Sequence, residues 1–243
     1  YHLELGEAMD IARLNMAQSN NQFRLKNHAS EEKVQLVRDR SKSVERIDPL
    51  YRHKTFHDIE GLRPGERNLI VYDGKPGPED DGSEDHTRRA QLYLNQLEEM
   101  GGGILFFPAG FYSFYGSLNV PSKVELRGVI DTPLHAARPG TTFNVLCNEG
   151  NELDTAFINL NQKSGLKGIS FNYPDQNYEN IRTYPYTIRG KGKGIYIQNL
   201  SSSGNTHFID FATYQCDEHF VDYVSGCPLK TGIYVGGGSK NGR

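Results

Sequence analysis

Apolar residues recur along the chain on two different periods. Leu5, Met9, Ala12 and Met16 fall at helical spacing, and Val34, Val37, Val44 and Ile47 do so again after Ser30, an N-cap type followed by Glu31 and Glu32. Residues 1–50 are therefore expected to form an α-helical segment. Helices this short are marginal alone, so their apolar stripes need something to pack against. From Pro49 onward Gly61, Pro64 and Gly65 stand among charges with no sustained period, and 51–67 reads as a linker.

At Asn68 the pattern changes. A short β-rich run to Tyr72 is followed by an Asp73-Gly74 turn and a polar loop through Asp85. After Thr87, Ala90, Tyr93, Leu94 and Leu97 mark the apolar face of a helix. Gly101-Gly102-Gly103 stops it, because glycine tolerates positive φ. Brief strands then take over: Ile104 to Phe107, Phe111 to Tyr115, Leu118 to Val120 and Val124 to Leu126. Further runs lie at Phe143 to Leu146, Ala156 to Leu160, Leu166 to Phe171, Gly194 to Ile197, His207 to Phe211, Phe220 to Val224 and Gly232 to Val235.

The two-residue turns that favour β-hairpins hardly appear between these runs, which argues against a sandwich. Short strands joined by uneven turns suit the coils of a solenoid instead. The expected fold is mainly β: a right-handed parallel β-helix over 68–243, with the α-helical segment ahead of it and a capping helix at its N-terminal end. Gly236 to Arg243 look like no cap, and a last coil leaves unpaired backbone groups. A second polypeptide that continues the β-helix is therefore expected, as a heterodimer or a cleaved chain.

Composition removes several function classes. Charged residues are 23% of the 243 and net charge is −3, with no concentrated basic surface for phosphates, so nucleic-acid binding is not expected. No apolar stretch approaches the roughly 20 residues that cross a bilayer. The chain opens without methionine, which leaves room for a removed secretion signal, and an extracellular or cell-surface location is the expectation. Cys147, Cys216 and Cys227 are odd in number and unrelated in spacing, so they read as buried apolar residues rather than metal ligands. Fourteen Tyr and no Trp mean that any stacking on sugar rings falls to tyrosine.

The stretch Tyr72-Asp73-Gly74, the acidic loop Asp80-Asp81-Gly82-Ser83-Glu84-Asp85-His86-Thr87, the following helix, and Gly102-Gly103-Ile104-Leu105-Phe106-Phe107-Pro108-Ala109-Gly110-Phe111-Tyr112 resemble the entry to pectate-lyase-superfamily β-helices. Leu118 to Ser122 and Val124 to Gly128 continue that resemblance, which covers about residues 68 to 130 closely. Glycosidases, lyases, epimerases and phage tailspikes share this entry. A helical leader ahead of a divided β-helix is most similar to the lacto-N-biosidase family, glycosidases that release a disaccharide from oligosaccharides. Such a resemblance implies a retaining hydrolase whose paired aspartates lie in later coils, with this chain giving scaffold and substrate contacts. A polygalacturonase set is absent, since Asn205-Thr206 is followed by His207 rather than aspartate. A lyase or tailspike-like depolymerase, and a noncatalytic glycan-binding subunit, are the alternatives.

Two segments carry candidate chemistry. The long connection after Phe171 holds Tyr173, Tyr178, Arg182, Tyr184 and Tyr186, flat rings and a guanidinium suited to an oligosaccharide, in a loop longer than compact domains usually need. Tyr214 and His219 flank a second acidic turn and join that substrate-binding set. Asp217 and Asp222 are the candidate catalytic pair within the chain, because glycoside hydrolysis needs two carboxyls and strand alternation can place them on one face. Glu79, Asp80, Asp81, Glu84 and Asp85 offer oxygens for calcium but lack EF-hand spacing, and acids ahead of a helix already favour its positive end. No cofactor is expected.

Overall fold

The computed structural model describes residues 68–76, 84–130 and 140–243. The predicted helical segment 1–50, the linker 51–67, and Glu79, Asp80 and Asp81 lie outside the described residues. Within them the chain is mainly β, with one helix. In chain order come β1 (Leu69–Val71), α1 (Thr87–Glu99), β2 (Gly103–Phe106), β3 (Gly110–Phe114), β4 (Leu118–Val120) and β5 (Val124–Arg127). Then follow β6 (Thr141–Val145), β7 (Ile158–Leu160), β8 (Gly165–Lys167), β9 (Ile169–Asn172) and β10 (Tyr186–Gly190). The last four are β11 (Tyr196–Ser203), β12 (His207–Phe211), β13 (Phe220–Cys227) and β14 (Thr231–Val235).

Every pairing among the described strands is parallel, and no strand pairs with its sequence neighbour except β1 with β2 across the helix. That excludes hairpin architecture, as the missing turn signals imply. Three ladders result. One runs β1–β2–β5–β8–β11, another β3–β6–β9–β11, and the third β4–β7–β10–β12–β14. The first half of β11 pairs with β8 and its second half with β9, while β13 follows β11 along its length. This joins the first two ladders into one nine-stranded sheet beside a five-stranded one. At the junction Asn199 has φ 55° and Tyr223, its neighbour on β13, has φ 50°. Left-handed φ lets each strand change direction between ladders; asparagine accepts it readily, whereas tyrosine is strained there.

In-register parallel pairing stacks like on like at the strand spacing of about 4.8 Å. Leu105, Leu126, Leu166 and Ile197 form one buried row, and Leu118, Ile158, Ile188 and Ile209 another. Between them runs a column of rings. The Phe143 centroid lies 4.8 Å from Phe107, 4.6 Å from Phe114 and 6.1 Å from Phe171. In the five-stranded sheet, Ile233 and Val235 of β14 occupy inward register positions yet are 48% and 45% exposed, because β14 is the edge strand of that sheet among the described residues.

Helix α1 buries Ala90, Leu94 and Leu97 against β1, β2 and β4. Asp85 Oδ1 accepts the Thr87 N–H at 2.8 Å and the Tyr115 N–H at 3.2 Å, so this acid of the suggested calcium loop takes up the first N–H of the helix and ties it to the strands, while the N-cap itself is His86. The three glycines that end the helix all have positive φ, at 87°, 116° and 151°. A Cβ at Gly103 would sit 2.4 Å from the Asn68 carbonyl oxygen and 2.9 Å from Leu97 Cδ2. Gly103→Ala is expected to cost about 2–4 kcal/mol, from strained φ and overpacking together, read as a lower urea midpoint at unchanged slope.

Cysteine burial departs from expectation at one position. Cys147 and Cys216 are buried, but Cys227 is exposed. It ends β13 on the side of the strand that faces away from the core, opposite Ser203, so its chemistry as a small hydrophobe has no interior to enter.

Candidate functional site

The outward side of the five-stranded sheet gathers rings and charges contributed by β10, β12 and the turns beside them. Parallel register places Tyr186 beside His207 and Arg189 beside Asp210. The Tyr186 and His207 rings stack with centroids 4.8 Å apart and planes 30° apart. The Arg189 guanidinium carbon lies 5.8 Å from the Tyr186 ring centre, and its Nε donates to Asp210 Oδ2 at 2.7 Å. His207 Nε2 donates to Glu152 Oε2 at 3.0 Å, and Lys230 Nζ donates to Glu152 Oε1. Tyr234, next in register after Asp210, is exposed.

Both carboxylates of this face are fixed in the ionised form. Lys230, then His207, holds Glu152 below the ordinary carboxylate range. Burial pushes Asp210 up, but the Thr213 hydroxyl, the backbone N–H groups of Thr213 and Ala212, and Arg189 outweigh it and hold the carboxyl low. Neither group is a proton donor at neutral pH, and glycoside hydrolysis needs one carboxyl that is. The face offers stacking surface and hydrogen bonds, with Glu152 and Asp210 both held as acceptors.

The residues expected to touch ligand divide sharply. Tyr186 lies on this face, half-buried. Tyr214 is exposed beside Thr213, with Lys191 Nζ 5.2 Å from its ring centre. Tyr178 is exposed on the connection from β9 to β10. Arg182 sits in the same connection, where its Nη1 grips both oxygens of Glu149 at 2.7 and 2.8 Å. Tyr173 and Tyr184 do not face outward. Both are buried, their rings 4.7 Å apart edge to face, with the Tyr173 hydroxyl 2.7 Å from Thr187 Oγ1, so protein covers the surfaces a sugar would need. His219 is likewise buried, its Nδ1 donating to the Cys216 carbonyl at 2.6 Å and its ring against Phe211.

The two candidate catalytic aspartates serve different segments. Asp217 lies in the turn before β13 and accepts the Lys240 N–H at 2.9 Å and Gln215 Nε2 at 2.8 Å. The Lys240 contact, above all, keeps its carboxyl low. Asp222 lies within β13, in register with Gln198 on the nine-stranded sheet. Glu152, His207 and Lys230 escaped the sequence reading. Nothing local marks them, since they meet only when the connection before β7, the start of β12 and the turn before β14 come together.

No family model matches the chain, and no curated protein matches it. Among solved structures, the chain is similar to a candidate glycosyl hydrolase of Parabacteroides merdae, at 17% identity and a TM-score of 0.45, over 68% of this chain and 88% of that one. At that level the likeness bears on neither fold nor function.

Proposed function

We propose that the three ladders are successive faces of a right-handed parallel β-helix, and that the chain is the glycan-contacting part of a carbohydrate-active protein. The fold reading is supported by strands that leave a ladder and return to it one layer on, and by the sequence resemblance over residues 68 to 130. The function reading is carried by one observation: the Tyr186–His207 stack flanked by the Arg189–Asp210 and Glu152–Lys230 pairs. Flat rings bind sugar faces, and fixed ionic groups beside them orient hydroxyls. A glycoside hydrolase of the lacto-N-biosidase type is the favoured enzyme, with its acid and nucleophile in a partner polypeptide that docks on β13 and β14. The exposed inward residues Ile233 and Val235 suit such a continuation.

Tyr186→Ala is expected to weaken oligosaccharide binding about tenfold, close to 1.4 kcal/mol, with the fold unchanged by circular dichroism. Calorimetric titration with neutral milk-type oligosaccharides checks this. Unchanged affinity removes the aromatic face from the reading. Reducing ends released by the assembled protein support a hydrolase, unsaturated products support a lyase, and neither product leaves a binding subunit.

A further inference from the structure

On the outer side of the nine-stranded sheet, several side chains are buried where water would be expected to reach them. In β2 and β5, Leu105 and Leu126 point into the core, which turns Ile104, Phe106, Glu125 and Arg127 outward. Ile104, Phe106 and Glu125 are nonetheless 0% exposed, and Arg127 4%. Ile104 and Phe106 form an apolar cluster apart from the main core, with Leu69, Val71 and Val129 packed against them. Register sets Leu69 beside Ile104 and Val71 beside Phe106, so the four make a continuous apolar strip over β1 and β2. Next to it, Glu125 accepts from Arg127 Nε and from the hydroxyl of Tyr196, whose ring lies over Gly165.

Burial is deepest on β2 and β5 and thins on both flanks. Leu69 and Val71 on one side, and Lys167 and Gln198 on the other, are half-exposed. Neighbours within a sheet screen a side chain laterally and leave its tip open, so full burial of these rows requires chain lying across them. Among the described residues, the helix is turned to the main core through Leu94 and Leu97, and Val129 is the one apolar residue outside β1 and β2 that packs on the strip.

We propose that residues 31–47 of this same chain are the cover. Val34, Val37, Val44 and Ile47 stand there at helical spacing, and a helix of that length, about 25 Å, presents one apolar stripe long enough for the roughly 15 Å from β1 to β8. The chain enters β1 at Leu69, itself part of the strip, and the 20 residues from Asp48 to Arg67 can reach any point on it at about 3.3 Å each when extended. The other stretches outside the described residues suit the strip less. Residues 77–83 carry no aliphatic or aromatic side chain except Pro78, and 131–139 offer one large apolar residue, Leu134, directly after Pro133. Covered in this way, β2 and β5 give no outer surface to a ligand, and glycan contact falls to the five-stranded sheet. The aromatic face belongs to that other sheet, so failure of the cover leaves its reading intact.

Photo-crosslinking in the full chain tests the proposal. Leu69→p-benzoylphenylalanine and, separately, Lys167→p-benzoylphenylalanine place a reactive ketone on either flank, and peptide mass spectrometry locates the attachment. At least one of them is expected to join residues 31–47 of the same molecule. Val37→Asp with Val44→Asp sets two carboxylates against the strip and should lower the yield at least about tenfold, with the β-sheet circular dichroism retained. Gln35→Asp, on the opposite side of the same helical period, should leave the yield unchanged. Attachment to residues 1–30 or 131–139, attachment to a second molecule, or none from either position overturns the proposal. So does a yield that the paired variant leaves unchanged, or that Gln35→Asp lowers equally.

Discussion

Phe143→Ala is expected to lower stability by about 3–5 kcal/mol, the cost of removing a large ring from a packed interior that cannot collapse to refill it. Phe143 is fully buried and touches Phe107, Tyr112, Phe114, Phe157 and Phe171 at once. It therefore holds three ladders together, and its neighbours are themselves stacked too closely to move into the gap. Chemical denaturation followed by tyrosine fluorescence reads the loss. A loss below about 1 kcal/mol would mean that the ring column is loosely packed.

Asp210→Ala is expected to cost a similar amount, about 3–5 kcal/mol, by a different route. The Asp210 side chain is fully buried and accepts from Arg189, Thr213 Oγ1, and the N–H groups of Thr213 and Ala212. Removing it leaves a mostly buried cation and two backbone donors unmatched. The same carboxylate gives a pH signature. Its folded value is lower than its unfolded one, so its stabilisation is complete above the unfolded value near 4 and is lost as pH falls through the folded value. Wild-type stability should therefore fall steeply on acidification below about pH 4, and Asp210→Asn should flatten that part of the profile. An identical slope in the variant would remove Asp210 as the source.

Much of the strand pattern was legible beforehand because each strand is short, apolar and bounded by turn residues. The helix from Thr87 and its glycine stop follow from spacing and from positive φ alone. Direction was harder to read. Tyr173 and Tyr184 resemble exposed loop tyrosines in sequence, and only the fold shows their rings packed against one another. On β5 all four residues are buried, so alternation, which separates a wet face from a dry one, gives no sign that Glu125 and Arg127 point away from the core. The Glu152–His207–Lys230 contact joins residues 55 and 78 positions apart, a distance no local motif spans. Cys227 is exposed where its residue type predicts burial, because type gives average burial and takes no account of a strand's place in its sheet.

All-parallel pairing also governs how the chain reaches this arrangement. Asn172 meets Asn144 after 28 residues, and Asn161 meets Asn119 after 42, so few contacts between ladder neighbours form within a short loop. Closing such loops loses chain entropy before any strand contact rewards it, which places folding in the slow, non-local class. A strand already in place offers its edge for the parallel pairing of the next strand of its ladder. A strand that has not yet met its ladder neighbour exposes unpaired N–H and C=O groups, so partly folded chains carry an edge prone to aggregation.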